Sequence, residues 1–264
     1  MADSSIRIGF IGFGNMGKAV CDGLIKAGAV DPANVSACAG RWGKLLEAAG
    51  ARGVKACRTA EEVVNASDIV VVAIKPYLVA QVLTPIREAL AGKMIVSVAF
   101  GRDLASYQTF LPADTNIIYM IPNTPVACCK GVLLCEEANS LTDAQMKTFR
   151  QVFGTIGSIE FIETDKMTVA GEVASCGPAF AAMFIEALGD AGVKYGLKRD
   201  TAYRLASRMV EGTGALQAET GRHPGDLKDE VCSPGGATIR GVAALEEAGF
   251  RNALIKAVDA IQKK

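Results

Sequence analysis

The chain opens with a pattern that strongly restricts how its first part can fold. Residues 6–11 form an apolar, strand-like segment that runs directly into Gly12-Phe13-Gly14-Asn15-Met16-Gly17. Apolar residues then recur at helical spacing from Met16 to Leu24. The glycines fit G-x-G-x-x-G, and a strand before the motif with a helix after it is the context in which that motif binds a dinucleotide. The alternative is a glycine turn with only a structural role.

Each glycine of the motif has a separate physical task. Gly12 allows the tight turn, Gly14 lets a pyrophosphate approach the backbone, and Gly17 lets the helix pack closely on the strand. The motif therefore predicts cofactor contacts from the whole turn, namely Ile11, Gly12, Phe13, Gly14, Asn15, Met16 and Gly17.

The end of the second predicted strand, residues 35–39, indicates which dinucleotide is bound. An NAD site usually has an acidic residue there to bind the ribose 2′-hydroxyl. No Asp or Glu occurs between Val35 and Lys44, and Gly40-Arg41 occupies the position. Arg41 could therefore bind the 2′-phosphate of NADPH, with Trp42 beside the adenine, although NADH remains possible. A solvated surface arginine is the alternative.

Composition restricts the class of protein further. The chain has 264 residues, 50% of them hydrophobic, with 28 basic and 28 acidic residues. Such a chain can bury a core, and its balanced charge gives no indication of nucleic acid or of an anionic membrane as partner. The N-terminus lacks the basic start of a secretory signal, and apolar runs such as residues 69–74 are of strand length. We expect a cytoplasmic protein.

The cysteines and the single histidine do not suggest a metal site. None of the cysteines forms C-x-x-C, so we expect reduced thiols and no metal. The adjacent Cys128 and Cys129 could form a redox switch, but buried small apolar residues are the favoured interpretation. His223, followed by Pro224 and Gly225, reads as a turn between helices rather than as a general base. The eight cysteines are Cys21, Cys38, Cys57, Cys128, Cys129, Cys135, Cys176 and Cys232.

Strand and helix signals alternate through the first part of the chain, which predicts an α/β fold with a doubly wound sheet of the Rossmann type. Ala73-Ile74-Lys75-Pro76 and Asn123 follow two of the strands. They should lie at the carboxyl edge, where such sheets bind ligands, and we assign them to the cofactor site. Lys75 could equally be a surface lysine. Thr142 and Gln145 predict a capping box. The further strands are predicted at residues 35–39, 69–74, 94–98, 116–120, 131–135 and 158–162.

From about Asp165 the pattern becomes helical. A long helix is predicted over residues 165–195, disturbed at Cys176-Gly177-Pro178, and a second begins after Asp200 as N-cap and continues towards Thr220. Two shorter helices and a last one over residues 250–262 follow. We predict a Rossmann domain over residues 1–163 and an all-α domain over residues 164–264. Because these helices are apolar and rich in Ala and Gly, we expect a homodimer that forms through them.

A second glycine-rich segment lies in the helical part. Ser233 and Pro234 turn the chain, and Gly235 and Gly236 leave backbone N–H groups uncovered before a helix that should begin near Ala237. A helix N-terminus of this kind binds a carboxylate or phosphate. We expect the N–H groups of Gly236 and Ala237 to bind the anion, with the hydroxyl of Thr238 at the rim. An ordinary glycine-rich turn is the alternative.

With these residues in place, the whole chain resembles the pyrroline-5-carboxylate reductase family. The resemblance rests on five segments in the right order: residues 12–17, 73–76, 121–125, 174–180 and, most specifically, 229–239. It implies a dimerisation role for the helical domain, NADPH or NADH as cofactor, and reduction of 1-pyrroline-5-carboxylate to L-proline. It also implies that Thr238 hydrogen-bonds the ring nitrogen, and that dimers assemble further. The implied substrate-binding residues are Val231, Ser233, Pro234, Gly235, Gly236, Ala237 and Thr238.

Two departures and two alternatives accompany the resemblance. Ile121 stands where the family often has Met, and Ala174-Ser175-Cys176-Gly177-Pro178-Ala179-Phe180 replaces Ser-Gly-Ser-Gly-Pro-Ala-Tyr, which puts polar roles there in doubt. The first alternative is a β-hydroxyacid dehydrogenase. Members of that family resemble one another in a catalytic lysine followed four residues later by Asn, and no lysine in this chain has Asn at that offset. A non-catalytic NADP-binding sensor would leave residues 233–238 unexplained.

Overall fold

The computed structural model describes residues 6–262. Its residues cluster into two compact units that meet between Cys176 and Gly177 in the sequence. The first unit contains the sheet and its flanking helices, and the second is entirely helical.

An eight-stranded sheet organises the first unit. Its order is β3-β2-β1-β4-β5-β6-β7-β8. The pairs from β3 to β6 are all parallel, β7 runs antiparallel to β6, and β8 is parallel to β7. The strands are β1 Ile8–Ile11, β2 Val35–Cys38, β3 Lys55–Ala56, β4 Ile69–Val72, β5 Met94–Ser97, β6 Asn116–Pro122, β7 Gly131–Glu136 and β8 Gly157–Ile162.

Helices cover both faces of this sheet. Apolar residues of α1, α2 and α6 pack in one core cluster with one set of strand side chains, such as Ile69 and Val71. Residues of α3, α4 and α5 pack in another with the alternate set, such as Val70 and Val72. Both sides are therefore buried, as in doubly wound folds. The helices are α1 Asn15–Lys26, α2 Trp42–Gly50, α3 Ala60–Asn65, α4 Val79–Leu83, α5 Leu104–Gln108, α6 Asp143–Phe153 and α7 Met167–Gly171.

The predicted fold class is confirmed, with differences in detail. Every strand predicted from the sequence is present, although β2 ends at Cys38 and β4 at Val72, before the predicted ends. The prediction missed β3, because two residues, one of them the exposed Lys55, carry no periodic pattern. The reversed direction of β7 was also not predicted. The capping box is present: Thr142 Oγ1 accepts from the backbone N–H of Gln145 at 3.3 Å, and Gln145 Oε1 accepts from that of Thr142 at 3.0 Å.

The long predicted helix after β8 is also present, but it changes form near its middle. After α7, a π-helical turn spans Glu172–Cys176, and α8 starts at Gly177. The disturbance predicted at Cys176-Gly177-Pro178 is thus a change of hydrogen-bond register just before the proline, which lacks an amide hydrogen. The carbonyl oxygen of Ala174, four residues before Pro178, accepts from Asn123 Nδ2 instead.

Over residues 177–262, the second unit contains five helices. Helix α9 begins at Arg199 with Lys198 as N-cap, so the prediction of Asp200 as N-cap was wrong; Asp200 lies in the first turn, where an acidic side chain is favourable. The two short helices and the last one were predicted correctly. The helices are α8 Gly177–Lys194, α9 Arg199–Thr220, α10 Pro224–Glu230, α11 Ala237–Glu247 and α12 Phe250–Gln262.

Two glycines of α8 allow α9 to pack closely against it. A Cβ on Gly189 would lie 2.1 Å from Cδ1 of Tyr203, and one on Gly192 would lie 3.1 Å from Cβ of Ala202. Among residues 177–262, only Gly189, Ala202 and Ala206 are buried. The second unit therefore has almost no core of its own.

Many large apolar side chains of this unit are exposed instead. Met183 is 69% exposed, Leu205 56% and Ile255 62%. One stretch of the described chain, Thr164–Lys194, is long and apolar enough by length and composition to cross a membrane, with a mean hydropathy of 1.4. Its apolar surface requires a covering, and a membrane is only one of the surfaces that could provide it.

We predict that Gly23→Ala destabilises the first unit. Gly23 lies in α1 against the turn Thr124–Cys128, and a Cβ there would stand 2.2 Å from the carbonyl oxygen of Val126, which is backbone and cannot rotate away. Overpacking of this kind costs about 1–3 kcal/mol. Thermal and urea unfolding would measure it.

The matched control for this substitution is Gly50→Ala. Gly50 ends α2, and its Cβ would meet nothing within 4 Å. Alanine in place of an unstrained helical glycine should leave stability unchanged or raise it by up to about 1 kcal/mol. Equal stability of the two variants would contradict the packing argument.

Candidate active site

A cleft of about 890 Å³ opens at the carboxyl ends of β1, β2, β4 and β5. The strand order reverses between β1 and β4, and this switch point is where doubly wound sheets bind ligands. Its volume lies in the range typical of small-molecule sites. The lining residues are Gly12, Phe13, Gly14, Asn15, Met16, Lys18, Ala39, Gly40, Arg41, Lys44, Leu45, Ala48, Ala73, Ile74, Lys75, Pro76, Tyr77, Leu78, Val98 and Phe100.

The three motif glycines have the separate roles that the sequence predicts. Gly12 adopts φ +96°, and a Cβ there would lie 2.5 Å from the carbonyl oxygen of Ala73. A Cβ on Gly17 would lie 2.6 Å from the carbonyl oxygen of Gly12. A Cβ on Gly14 would meet nothing within 4 Å. Gly12 and Gly17 thus permit backbone contacts inside the protein, whereas Gly14 leaves its open side to the cleft.

The start of α1 has backbone donors that suit an anion in the cleft. Gly14 is the N-cap and has no side chain to accept from the first turn of the helix. The N–H groups of that turn and the positive end of the helix dipole are therefore available to a pyrophosphate. This arrangement fits a dinucleotide.

Two cations stand at the end of β2. Arg41 and Lys44 both line the cleft, and within residues 6–262 neither side chain forms an ion pair or hydrogen bond. Trp42 does not line the cleft, because it turns towards the core and the guanidinium of Arg58 covers its ring at 3.6 Å. The expectation that Trp42 lies beside the adenine is therefore not supported.

The turn after β4 borders the cleft as predicted. Ala73, Ile74, Lys75 and Pro76 are all lining residues, and Lys75 is exposed. Arg102 Nε donates to the carbonyl oxygen of Pro76 at 3.1 Å and so fixes the turn.

Two aromatic rings at the cleft were not predicted from the sequence. Tyr77 is 74% exposed and Phe100 is 52% exposed. Their position in the segments that follow β4 and β5 was the available signal, since loops at the carboxyl edge line such clefts.

Asn123 is placed differently from the other predicted cofactor residues. It is 6% exposed and does not line the cleft. Its Nδ2 donates to the carbonyl oxygen of Ala174 at 2.9 Å, and its Oδ1 accepts from the backbone N–H of Val132 at 2.9 Å. The amide thus ties the π-helical turn to β7, and its contact with a cofactor stays a prediction. Ile11 and Gly17 are buried beneath the turn rather than on the cleft surface.

The second predicted site lies at the start of α11. Gly235 adopts φ +67°, and Gly236 is the N-cap, without a side chain to cap the helix. A Cβ on Gly236 would lie 2.4 Å from Oγ of Ser233 and 3.0 Å from its carbonyl oxygen, so a larger residue there would require the Ser233 side chain to rotate. Arg240 Nη1 donates to the carbonyl oxygen of Gly235 at 3.1 Å and steadies the loop, a contact that the sequence did not predict.

One detail of the predicted anion site requires correction. The backbone N–H of Gly236 donates to the carbonyl oxygen of Ser233 at 3.0 Å and is not available to a ligand. The available donors are those of the first turn, Ala237 and Thr238. Thr238 is exposed, as are Val231, Ser233, Pro234 and Gly235.

The remaining candidate groups have structural surroundings. All eight cysteines are unpaired, and burial raises the pKa of Cys21 and Cys135 to about 12. Cys128 is exposed, so the interpretation of the Cys128–Cys129 pair as buried was wrong for this residue. His223 caps α10, with Nδ1 accepting from the backbone N–H of Gly225 at 3.0 Å, as its predicted place in a turn between helices requires.

Comparisons with known proteins agree with this geometry. Residues 7–101 match a family model described as NADP oxidoreductase, coenzyme F420-dependent, and residues 164–264 match one described as pyrroline-5-carboxylate reductase dimerisation. The pyrroline-5-carboxylate reductase of Treponema pallidum is 44% identical over 97% of this chain and 98% of its own. That of Escherichia coli is 38% identical over 98% and 96%.

A solved structure is similar over nearly the whole chain. The pyrroline carboxylate reductase of Plasmodium falciparum, crystallised with NADP bound, superposes with a TM-score of 0.85 at 28% identity, covering 97% of this chain and 95% of its own. Fold and cleft together define an NAD(P)-dependent oxidoreductase with a Rossmann domain followed by helices that belong to a homo-oligomerising family. The extent and identity of these matches make the assignment more specific: the chain belongs to the pyrroline-5-carboxylate reductase family.

Proposed function

We propose that this protein reduces 1-pyrroline-5-carboxylate to L-proline with NADPH, the last step of proline biosynthesis. The observation that carries the proposal is the uncapped start of α11 at Gly236, which offers backbone donors to a carboxylate in a chain that also has an open dinucleotide cleft. A dinucleotide-binding sensor would need only the cleft.

The cofactor proposal rests on the donors around the cleft. The first turn of α1, behind Gly14, would bind the pyrophosphate, and Arg41 would bind the 2′-phosphate that distinguishes NADPH from NADH. The absence of an acid after β2 removes the group that normally favours NADH. The NADP bound to the relative from Plasmodium falciparum supports this choice. NADH remains a possible second cofactor.

The substrate carboxylate would bind at the start of α11. Ala237 and Thr238 would provide the first-turn N–H groups, and the left-handed conformation of Gly235 turns the chain just before the helix. Val231, Ser233, Pro234 and Gly236 complete the proposed substrate-binding segment. An anion held by backbone donors and a helix dipole needs no basic side chain.

Thr238 would act on the ring nitrogen. Its hydroxyl both donates and accepts, so it can orient the imine and relay the proton that the nitrogen holds in the product. The reduced nicotinamide, when bound, supplies the hydride. A protonated cyclic imine is already electrophilic, so the remaining task of the protein is to hold the carboxylate, the nitrogen and the reacting carbon in one geometry.

The direct test is an assay of NADPH oxidation with 1-pyrroline-5-carboxylate at neutral pH, followed by detection of proline and repeated with NADH. We expect proline formation, with a higher kcat/KM for NADPH than for NADH, because Arg41 and Lys44 line the cleft and their side chains have no partner among residues 6–262. Tight cofactor binding without turnover would contradict the reaction. Preference for NADH would contradict NADPH as the main cofactor and the assignment of Arg41, but not the reaction.

We predict that Thr238→Ala lowers kcat by about 10-fold to 1000-fold, the range expected when one hydrogen-bond donor or proton partner is removed. Thr238→Ser is the matched control, since it keeps the hydroxyl, and it should retain most of the activity. Because Thr238 is exposed in the second unit, neither variant should change the melting temperature appreciably. Unchanged kinetics of Thr238→Ala would exclude the role.

We also propose a homodimer formed through the helical domain, with further assembly of dimers as an extension. The functional boundary would lie between residues 163 and 164, where the match to the dimerisation family begins, thirteen residues before the division between compact units. Exposed apolar side chains such as Met183 and Leu205 would be covered by the partner rather than by lipid. We also propose a cytoplasmic location, with which a metabolic enzyme of this kind is consistent.

We expect light scattering at micromolar concentration to give at least twice the chain mass of 27.6 kDa. Met183→Glu should shift the population towards monomer, because Met183 is 69% exposed on α8 and a buried carboxylate at an interface is costly. The control is Leu46→Glu, at a 47% exposed position in the first unit, which should leave the mass unchanged. A monomeric wild-type protein would contradict the proposal.

A further inference from the structure

Strands β2 and β3 bring a second arginine to the cofactor end of the sheet. Arg58 follows β3 as Arg41 follows β2, and the two strands are parallel neighbours. The backbone N–H of Cys57 donates to the carbonyl oxygen of Ala37 at 2.8 Å, which extends the pairing up to the residue before Arg58. Because the carboxyl ends of parallel strands meet at one edge, Arg58 emerges beside the segment that carries Arg41.

Trp42 holds the side chain of Arg58 in place. The guanidinium carbon lies 3.6 Å from the centre of the Trp42 ring, a close cation–π stack. Trp42 itself packs against the core of the first unit. The backbone N–H of Arg58 donates to Oε2 of Glu62 at 2.9 Å, so the main chain is fixed as well. Trp42 directly follows Arg41 in the sequence, so the stack holds Arg58 at the same edge of the sheet as the segment that carries Arg41.

Arg58 differs from the ion-paired arginines of the first unit. Arg7 donates to Asp68 through two nitrogens, and Arg52 donates to Asp22 in the same way. Within residues 6–262, by contrast, no acceptor or carboxylate is paired with the guanidinium of Arg58. Stacking occupies the face of the guanidinium and leaves its N–H donors, which lie in the plane, free for an anion.

We propose that Arg58, positioned by Trp42, is a second cation for the 2′-phosphate of the cofactor and a determinant of NADPH specificity alongside Arg41. The proposal rests on the proposed use of NADPH and extends it to a residue outside the cleft lining. A phosphate carries up to two negative charges and several acceptor oxygens, so two arginines can bind it together. Stacking also reduces the side-chain entropy that Arg58 loses on binding, because its rotamer is already fixed.

The other role available to Arg58 is purely structural, since the stack could simply attach the short strand β3 to α2. The two roles differ in what they predict for ligands. A structural role affects all ligands of the cleft alike, whereas a phosphate contact affects only those with a 2′-phosphate. The ratio of two dissociation constants therefore separates them.

The test is calorimetric titration of the full-length protein with 2′,5′-ADP and 5′-AMP, which differ only by the 2′-phosphate. We expect wild type to bind 2′,5′-ADP more tightly. Arg58→Gln should weaken 2′,5′-ADP binding by about 10-fold, as for loss of one charged hydrogen bond, and 5′-AMP binding by less than about twofold. Arg58→Lys, which keeps the charge, should retain part of the preference for 2′,5′-ADP over 5′-AMP. Trp42→Leu, which keeps the charge but removes the stack, should weaken 2′,5′-ADP binding by about threefold.

Arg87→Gln is the matched control. Arg87 is also exposed and unpaired among the described residues, but it precedes β5 and so lies at the amino edge of the sheet. The Arg87→Gln variant should bind both nucleotides with the same affinity as wild type. Melting curves of all variants would establish that they are folded.

The outcomes separate this proposal from the one it rests on. A wild-type protein with no preference for 2′,5′-ADP would overturn the NADPH assignment and the role of Arg58 together. A preserved preference in both wild type and Arg58→Gln would overturn the role of Arg58 alone and leave Arg41 as the specificity residue. Equal weakening of both nucleotides in Arg58→Gln would also overturn it, in favour of the structural role.

Discussion

The first unit depends on a contact between backbones at the start of α1. Gly12 and Ala73 approach so closely that a Cβ on Gly12 would stand 2.5 Å from the carbonyl oxygen of Ala73, and Gly17 approaches Gly12 in the same manner. These contacts bring β1, α1 and the end of β4 together at the point where the strand order reverses. A side chain at either glycine would separate the elements and with them the edges of the cleft. The dinucleotide site is thus a consequence of how closely three backbone segments can pack.

Much of this arrangement could be predicted because the determining residues are local. A glycine motif between a strand and a helix specifies its own geometry, and β-branched runs such as β4 and β5 identify strands that are buried on both faces. The start of α11 was also predictable, since glycine N-caps need no distant partner. The resemblance to a known family then added the substrate, which no residue pattern alone could have supplied.

The details that escaped prediction depend on partners far away in the sequence. Asn123 receives its role from Val132 and Ala174, 9 and 51 residues away, and neither contact leaves a local pattern. The stack of Arg58 on Trp42 likewise requires that β3 pair with β2, and β3 is only two residues long. Even the backbone N–H of Gly236, which the sequence predicted to be free, donates to the carbonyl oxygen of Ser233. The composition of this segment does not reveal that the turn is tight enough for that hydrogen bond.

The helical unit presents the opposite physical situation from the sheet. In residues 177–262 only Gly189, Ala202 and Ala206 are buried, so hydrophobic burial within the unit cannot offset the conformational entropy of ordering its five helices. The missing stabilisation has to come from a second surface, and a family defined by a dimerisation domain supplies one. Folding of this unit and association are then coupled, so its stability should depend on protein concentration. The start of α11, where we propose that the substrate carboxylate binds, lies in this same unit. If folding and association are coupled, the order of this segment should depend on assembly even though its hydrogen bonds are local.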